Sequence, residues 1–381
     1  MKKMCILAAV PQSIQLFMSD IAQNASRDFN VTIASHPSGT YLSERLGLNY
    51  HPILIERKPA LIKDLISLFS LIAFFRREKF YIVHSITPKT GFLSMLAAFI
   101  TRVPIRIHTF TGQVWLNKRG YKRYLLKLFD KLMAICCTHI LVDSPSQRDF
   151  LLTEGVFKKD KSTVLGKGSI CGVDLNRYKF DADARNRLRE EAGLPSDAVV
   201  IIFMARLTRQ KGILELAEAF NSLAETHSNL YLWVIGTEES VTFQEVLLKA
   251  PSHTDRIMRT EFTNTPEVYL SASDILCLPS HMEGFGQVIV NASACQLPVV
   301  GTRIIGVRDA VEEGVTGLLY TAGNVQELVN TLALLIADRQ LRTRLGLAGR
   351  KRVIDQFEQS EITNLTLKHY QKIIKEYETF N

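Results

Sequence analysis

The chain has 381 residues, 46% of them hydrophobic and 22% charged, long enough for two cores and free of the low-complexity or Pro-rich tracts of a disordered or fibrous protein. Its formal net charge of +8 is uneven: residues 1–172 hold 24 Lys and Arg against 11 Asp and Glu, and the remainder holds 22 against 27. A basic first half suits nucleic acid, an anionic membrane surface or phosphate-bearing substrates.

Met1-Lys2-Lys3 ahead of an apolar run mimics a signal peptide, but no small-residue cleavage site precedes Gln12, so a first β-strand is expected there. No run reaches the roughly 18 apolar residues that span a bilayer. The six cysteines (Cys5, Cys136, Cys137, Cys171, Cys277 and Cys295) fall mostly in apolar runs, with neither a C-x-x-C pair nor framework spacing. They read as reduced core residues of a cytosolic protein.

Short apolar runs at residues 5–10, 31–35, 53–55, 81–84, 105–109 and 140–142 read as strands, with helical stretches between them. Such alternation predicts a doubly wound parallel sheet. The loop after the first strand, Val10-Pro11-Gln12-Ser13-Ile14, has no glycine pair; Ser13 and the helix start behind it could serve an anion, or the loop could be a plain connection. Residues 61–75 are apolar almost all round and precede Arg76-Arg77, which fits a buried helix or a membrane contact. Residues 118–133 place Arg119, Lys122, Arg123, Lys127 and Lys131 on one helical arc and Tyr121, Tyr124, Leu125, Leu128 and Leu132 on the opposite one. That basic amphipathic helix fits either a domain core or an anionic lipid surface.

Around residues 173–194 the pattern breaks into a charged segment and then restarts with strands at 199–204, 231–235, 275–278 and 298–301. Asp181-Ala182-Asp183 sits in that segment without an apolar strand before it, so it reads as a solvated helix start rather than a metal site. The strand at 199–204 runs into Ala205-Arg206-Leu207-Thr208-Arg209-Gln210-Lys211-Gly212. Arg206 as a planar fork and Lys211 as a point charge suit a diphosphate; a solvated turn is the plainer alternative. The strand at 275–278 ends in Pro279-Ser280-His281-Met282-Glu283-Gly284-Phe285-Gly286, followed by a helix from near Phe285 and a further strand. Ligands bind outside the carboxyl ends of such strands, where Glu283 could accept from hydroxyls and the glycines permit close backbone approach. Beyond Val325 the chain reads as almost entirely helical.

These two segments, in this order, resemble the donor-site signature of family-4 retaining glycosyltransferases, with Ala205 where Gly is usual and Asn291 where the family carries a second Glu. Gly306-Val307-Arg308-Asp309-Ala310-Val311 and Gly314-Val315-Thr316-Gly317-Leu318-Leu319 extend the resemblance through the second half. Thr87-Pro88-Lys89-Thr90-Gly91, residues 106–112 and Gly172-Val173-Asp174 carry it more weakly in the first. The resemblance implies the GT-B arrangement, two Rossmann-like α/β domains facing across a cleft. Residues 1–172 would form the acceptor domain, 173–357 the donor domain, and a helix over 358–381 would pack back on the first.

It further implies that Arg206 and Lys211 hold the donor diphosphate, that Glu283 with Gly284, Phe285 and Gly286 holds the sugar, and that Asn291 stands at the ribose. The family's histidine on the catalytic face falls at Thr111 here, and His108, three residues earlier, becomes the candidate in its place. Ser13, Lys89 and Thr111 are the acceptor-side candidates. The implied activity is metal-independent, cofactor-free transfer, with retention, of a sugar from a nucleotide-sugar, expected to be a UDP-sugar, to a polyprenyl-diphosphate-linked saccharide in surface polysaccharide synthesis. The expected partners are that donor, that acceptor and an anionic membrane at the inner face of the plasma membrane, with no nucleic acid. A nucleotide-sugar epimerase of the same architecture and a non-catalytic nucleotide-sugar-binding partner of an assembly complex are the rival readings.

Overall fold

Apolar runs too short for helices, rich in Ile, Val and Leu, form two parallel sheets in this computed structural model, which describes residues 1–56 and 60–380. The chain divides into Met1–Gly172 together with the chain from Gln359, and Val173–Glu358.

In the first unit the strands are β1 (Lys2–Leu7), β2 (Phe29–Ser35), β3 (Asn49–Pro52), β4 (Ile82–Ile86), β5 (Ile105–Phe110), β6 (His139–Val142) and β7 (Ser162–Thr163). Their order is β3-β2-β1-β4-β5-β6-β7, so the winding reverses between β1 and β4. Cys5, Ile6, Leu7, Ile82, Val83, Ile105 and Ile107 are fully buried, as strands covered on both faces require. The third strand lies a few residues earlier than the apolar run at 53–55. Ile53 and Ile55 are core residues just past the strand end, and the Ile53 N–H still donates to the Ser35 carbonyl of β2 at 2.8 Å.

The helices Leu61–Glu78, Pro88–Ile100 and Gly120–Cys136 follow β3, β4 and β5, and therefore start at the same end of the sheet. Small and unbranched residues of the middle helix, among them Gly91, Ser94, Ala97 and Ala98, let it sit close against the strands. The last helix, Gln359–Phe380, belongs to this unit. It packs on the helix Ser19–Ala25, and its buried Tyr370 hydroxyl lies 2.6 Å from His84 Nδ1.

In the second unit the strands are β8 (Val199–Met204), β9 (Leu230–Ile235), β10 (Ile257–Thr260), β11 (Ile275–Leu278), β12 (Val299–Thr302) and β13 (Gly317–Tyr320), in the order β10-β9-β8-β11-β12-β13. The winding reverses between β8 and β11. β10 and β13 lack the long apolar run that betrays the central strands. Asp181 caps the helix Ala182–Glu191 by accepting from the Ala184 N–H at 2.9 Å. That helix is tied to the sheet through Asp274, whose carboxylate accepts from Arg185 Nη2 at 2.7 Å, Arg189 Nη1 at 3.2 Å and the Val200 N–H at 2.8 Å. All six cysteines are buried and unbridged.

Candidate functional site

Ligand sites in open α/β sheets form outside the strand ends where the winding reverses, because the two loops there diverge. In the second unit those loops follow β8 and β11, which pair through Ile275 with Ile201 and Leu276 with Ile202. The first carries Arg206 and Lys211, the second Glu283.

Two glycines set the spacing of these loops. Gly212 has φ +70°, and a Cβ there would overlap the Pro279 carbonyl oxygen, so the lysine loop lies directly on the end of β11. Gly306, at φ +84°, leaves room for the Gly284 carbonyl in the same way and presses the loop after β12 onto the glutamate turn.

Glu283 Oε1 accepts from Ser280 Oγ at 2.8 Å and forms an ion pair with Lys211 Nζ. The two side chains are 12% and 20% exposed, so solvent screens this pair less than a surface one. The turn is anchored in turn: Thr302 Oγ1 donates to the Ser280 carbonyl at 2.5 Å, and the His281 N–H donates to the Gln210 carbonyl at 2.8 Å. His281 Nε2 lies 2.8 Å from Glu215 Oε1, in the first turn of the helix Ile213–Ala224. That hydrogen bond raises the imidazole pKa above its ordinary value, with burial opposing.

Arg206 is 46% exposed and paired with Glu239, a surface contact of the kind worth about 0–1 kcal/mol and readily exchanged for a better anion. Gly286 is left-handed and precedes the helix Gln287–Ala294, which begins slightly later than expected. On that helix Asn291 Oδ1 accepts from Gln287 Nε2 at 3.2 Å. The Phe285 side chain is buried, its ring 5.3 Å from that of Phe357, so at this position only backbone is left for a ligand.

The first-unit candidates are more scattered. Ser13 lies half-buried in the first turn of the helix Pro11–Phe17 behind β1, and Lys89 in the first turn behind β4, so both flank the reversal of their sheet. Lys89 Nζ pairs with Asp64 Oδ1 at 2.6 Å. The Thr111 carbonyl accepts from Gln113 Nε2 at 3.0 Å and from Gln147 Nε2. His108 is placed otherwise than a catalytic histidine needs: it is buried, 2.8 Å from Ser85 Oγ through Nδ1 and edge-on to Phe110. Burial pushes its pKa down to about 3, which keeps the ring neutral in the core.

Sequence reasoning missed Ser280, His281, Glu215 and Thr302, which position Glu283 and Lys211. Only the place of Ser280 and His281 inside the Pro279 to Gly286 turn was a signal. Among the described residues, no group of three or more His, Cys, Asp or Glu side chains is arranged to hold a metal ion.

Two doubly wound units, with paired Lys211 and Glu283 and an arginine at the reversal of the second, make this a GT-B protein. The fold is shared with the crystal structure of Anabaena HepE in complex with UDP and glucose, at TM-score 0.81 and 19% identity over 97% of this chain and 100% of that one. A glycosyltransferase from Rickettsia africae matches at TM-score 0.80 and 19% identity over 98% and 99%.

The family model described as Glycosyl transferases group 1 matches residues 184–352, that of Glycosyltransferase Family 4 matches residues 18–177, and the chain belongs to this glycosyltransferase family. The capsular polysaccharide biosynthesis glycosyltransferase CapM of Staphylococcus aureus is 32% identical over 381 residues, 99% of each chain. An Escherichia coli UDP-Gal:alpha-D-GlcNAc-diphosphoundecaprenol alpha-1,3-galactosyltransferase is 28% identical over 339 residues, 87% of this chain and 85% of that one.

Proposed function

We propose that this chain transfers a sugar, with retention and without a metal, from a UDP-sugar to a polyprenyl-diphosphate-linked saccharide during bacterial surface polysaccharide synthesis. The observation that carries the reading is the pair of Lys211 and Glu283 held between the loops of β8 and β11. A diphosphate entering there takes over Lys211 and the exchangeable Arg206, and Glu283 turns from the lysine to a sugar hydroxyl. Asn291 meets the ribose, and the backbone of Gly284 to Gly286 borders the sugar. The bond from the anomeric carbon to the β-phosphate oxygen breaks as the bond to the acceptor oxygen forms on the same face. The acceptor proton passes to the departing phosphate, so no separate base is needed, in keeping with the buried, neutral His108.

UDP in the HepE structure supports the choice of nucleotide, and the printed activity of the E. coli relative supports the acceptor class. Ser13, Lys89 and Thr111 are assigned to the acceptor side. The place of action is the cytoplasmic face of the inner membrane, supported by the basic excess of residues 1–172. Incubating the protein with a panel of radiolabelled UDP-sugars and a bacterial lipid extract tests this. Label moving into the lipid fraction from one donor is expected; an isomerised donor, or binding without transfer, overturns the reading.

A further inference from the structure

The first unit leaves large apolar side chains in solvent on two of its helices. On Leu61–Glu78, Leu61 and Ile62 are 80% and 76% exposed, and Ile66 and Phe69 are exposed beside them. On Gly120–Cys136, Tyr121 and Tyr124 are 75% and 71% exposed, with Ile135 exposed further along. The two helices flank Pro88–Ile100, which packs on both, and Phe92 meets Phe129 edge-on at 5.1 Å. Together they form one helical layer. Ordinary soluble surfaces scatter such residues singly, and a concentration of them marks an interaction surface.

Charge narrows the partner. Every carboxylate on the two helices is occupied or turned inward. Asp64 pairs with Lys89, and Glu78 pairs with Lys3 and Arg77. Asp130 is buried against Trp115 Nε1 at 2.7 Å. The basic arc is divided: Arg123 and Lys127 turn toward the protein, where Glu154 takes both, whereas Arg119 and Lys122 remain exposed, as does Lys118 just ahead of them. An apolar face that shows cations and no outward carboxylate complements an anionic bilayer. No helix among the described residues is long and apolar enough to cross one.

We propose that Leu61–Glu78 and Gly120–Cys136 sink these apolar side chains into the headgroup layer of an anionic membrane, so that attachment is hydrophobic first and electrostatic second. This rests on the lipid-linked acceptor proposed above. Both helices begin at the end of the sheet where the strands β1, β4 and β5 finish, so the surface lies on the side of the unit that presents the loops of Ser13, Lys89 and Thr111. An acceptor anchored in lipid is then delivered beside them.

Vesicles of phosphatidylethanolamine and phosphatidylglycerol, pelleted with the full chain, test the proposal at ~0.15 M and ~1 M salt, between which the screening length falls from about 8 to about 3 Å. The wild type is expected to stay bound at the higher salt. The triple substitution Ile62→Ser, Ile66→Ser, Tyr124→Ser is expected to lower partitioning by about tenfold or more at both salts, with an unchanged circular dichroism spectrum. Lys118→Ala with Lys122→Ala should weaken binding only at the lower salt. Release of the wild type by salt, wild-type binding by the triple variant, or a sedimenting dimer that the triple variant dissolves would each overturn the proposal. Transfer to a water-soluble, short-chain prenyl diphosphate saccharide keeps the two readings apart. The triple variant should perform it like the wild type, whereas a wild type that binds vesicles yet transfers to no acceptor contradicts the function and leaves the membrane surface standing.

Discussion

Lys211 and Glu283 serve as each other's counter-ion, and Ser280 Oγ donates to the same carboxylate oxygen. Truncating the lysine removes the charge that would stabilise the leaving diphosphate and also strands a carboxylate that is only 12% exposed. Lys211→Ala is expected to lower kcat/KM by roughly 10²–10³, about 2.7–4 kcal/mol at the transition state. Arg206→Ala should fall in the same direction while costing little stability, because its contact with Glu239 is a surface one. Steady-state kinetics alongside thermal melting check both, and wild-type turnover in either folded variant removes the diphosphate assignment.

His281 gives a pH signature of its own. Its pKa is raised in the folded protein by Glu215, so the stability it contributes is fully present below about pH 6.5 and is lost as pH rises through the raised value. Urea unfolding of the wild type should show this loss, and His281→Gln should lack it; identical pH profiles for the two proteins would contradict the assignment. At this scale the sequence displayed the proposed site residues better than their supports. Arg206, Lys211 and Glu283 stood out by charge and glycine context, but Glu215 and Thr302 are distant in sequence and carry no motif. Strand alternation sets His108 and Phe110 on the face opposite Thr109, whose hydroxyl meets His84 at 2.8 Å. It could not tell a buried face from an open one, because both faces of a parallel sheet are covered.

At the scale of elements, the approach of the two site loops depends on Gly212. A Cβ at this position meets the Pro279 carbonyl, and its left-handed φ of +70° alone costs an ordinary residue about 1–2 kcal/mol. Gly212→Ala is therefore expected to lower stability by at least that amount and to weaken nucleotide binding further, because the loop bearing Lys211 must retreat from Glu283. Denaturant midpoints with calorimetric titration of UDP measure the two effects. Unchanged affinity would show that the loops need not touch for the site to work.

The central strands were legible because double burial writes them as unbroken apolar runs, while β7, β10 and β13 were not. β7 has two residues, Ser162 and Thr163, and β10 and β13 lie at sheet edges where burial on one side relaxes the pattern. The helix Gly120–Cys136 was legible as basic and amphipathic, but periodicity could not say which arc faced the protein. The structure turns the apolar arc outward, with Tyr121, Tyr124, Leu125, Leu128 and Leu132 all exposed, while on the other side Arg123 and Lys127 reach Glu154 and Leu126, Met133 and Ala134 pack on the core.

Over the whole molecule, chemistry and charge are divided between the units. Arg206, Lys211 and Glu283 lie in the unit Val173–Glu358, while the basic excess and the exposed apolar helices lie in the first. The chain returns to its first unit through Gln359–Phe380, whose Tyr370 is fully buried there, so removal of that helix would expose a core position as well as shorten the chain. The basic first half was legible from composition alone; the place of its apolar surface was not, since that depends on which helices pack side by side.

The central claim, that Glu283 and its partners move a sugar onto a lipid-linked saccharide, is tested most directly by following both products of one reaction. UDP released and saccharide gained by the lipid acceptor are to be quantified together for the wild type and for Glu283→Ala. Equal molar amounts of the two products from the wild type, and neither from a folded Glu283→Ala, are predicted. UDP release without acceptor gain, or a Glu283→Ala protein as active as the wild type, would contradict the account.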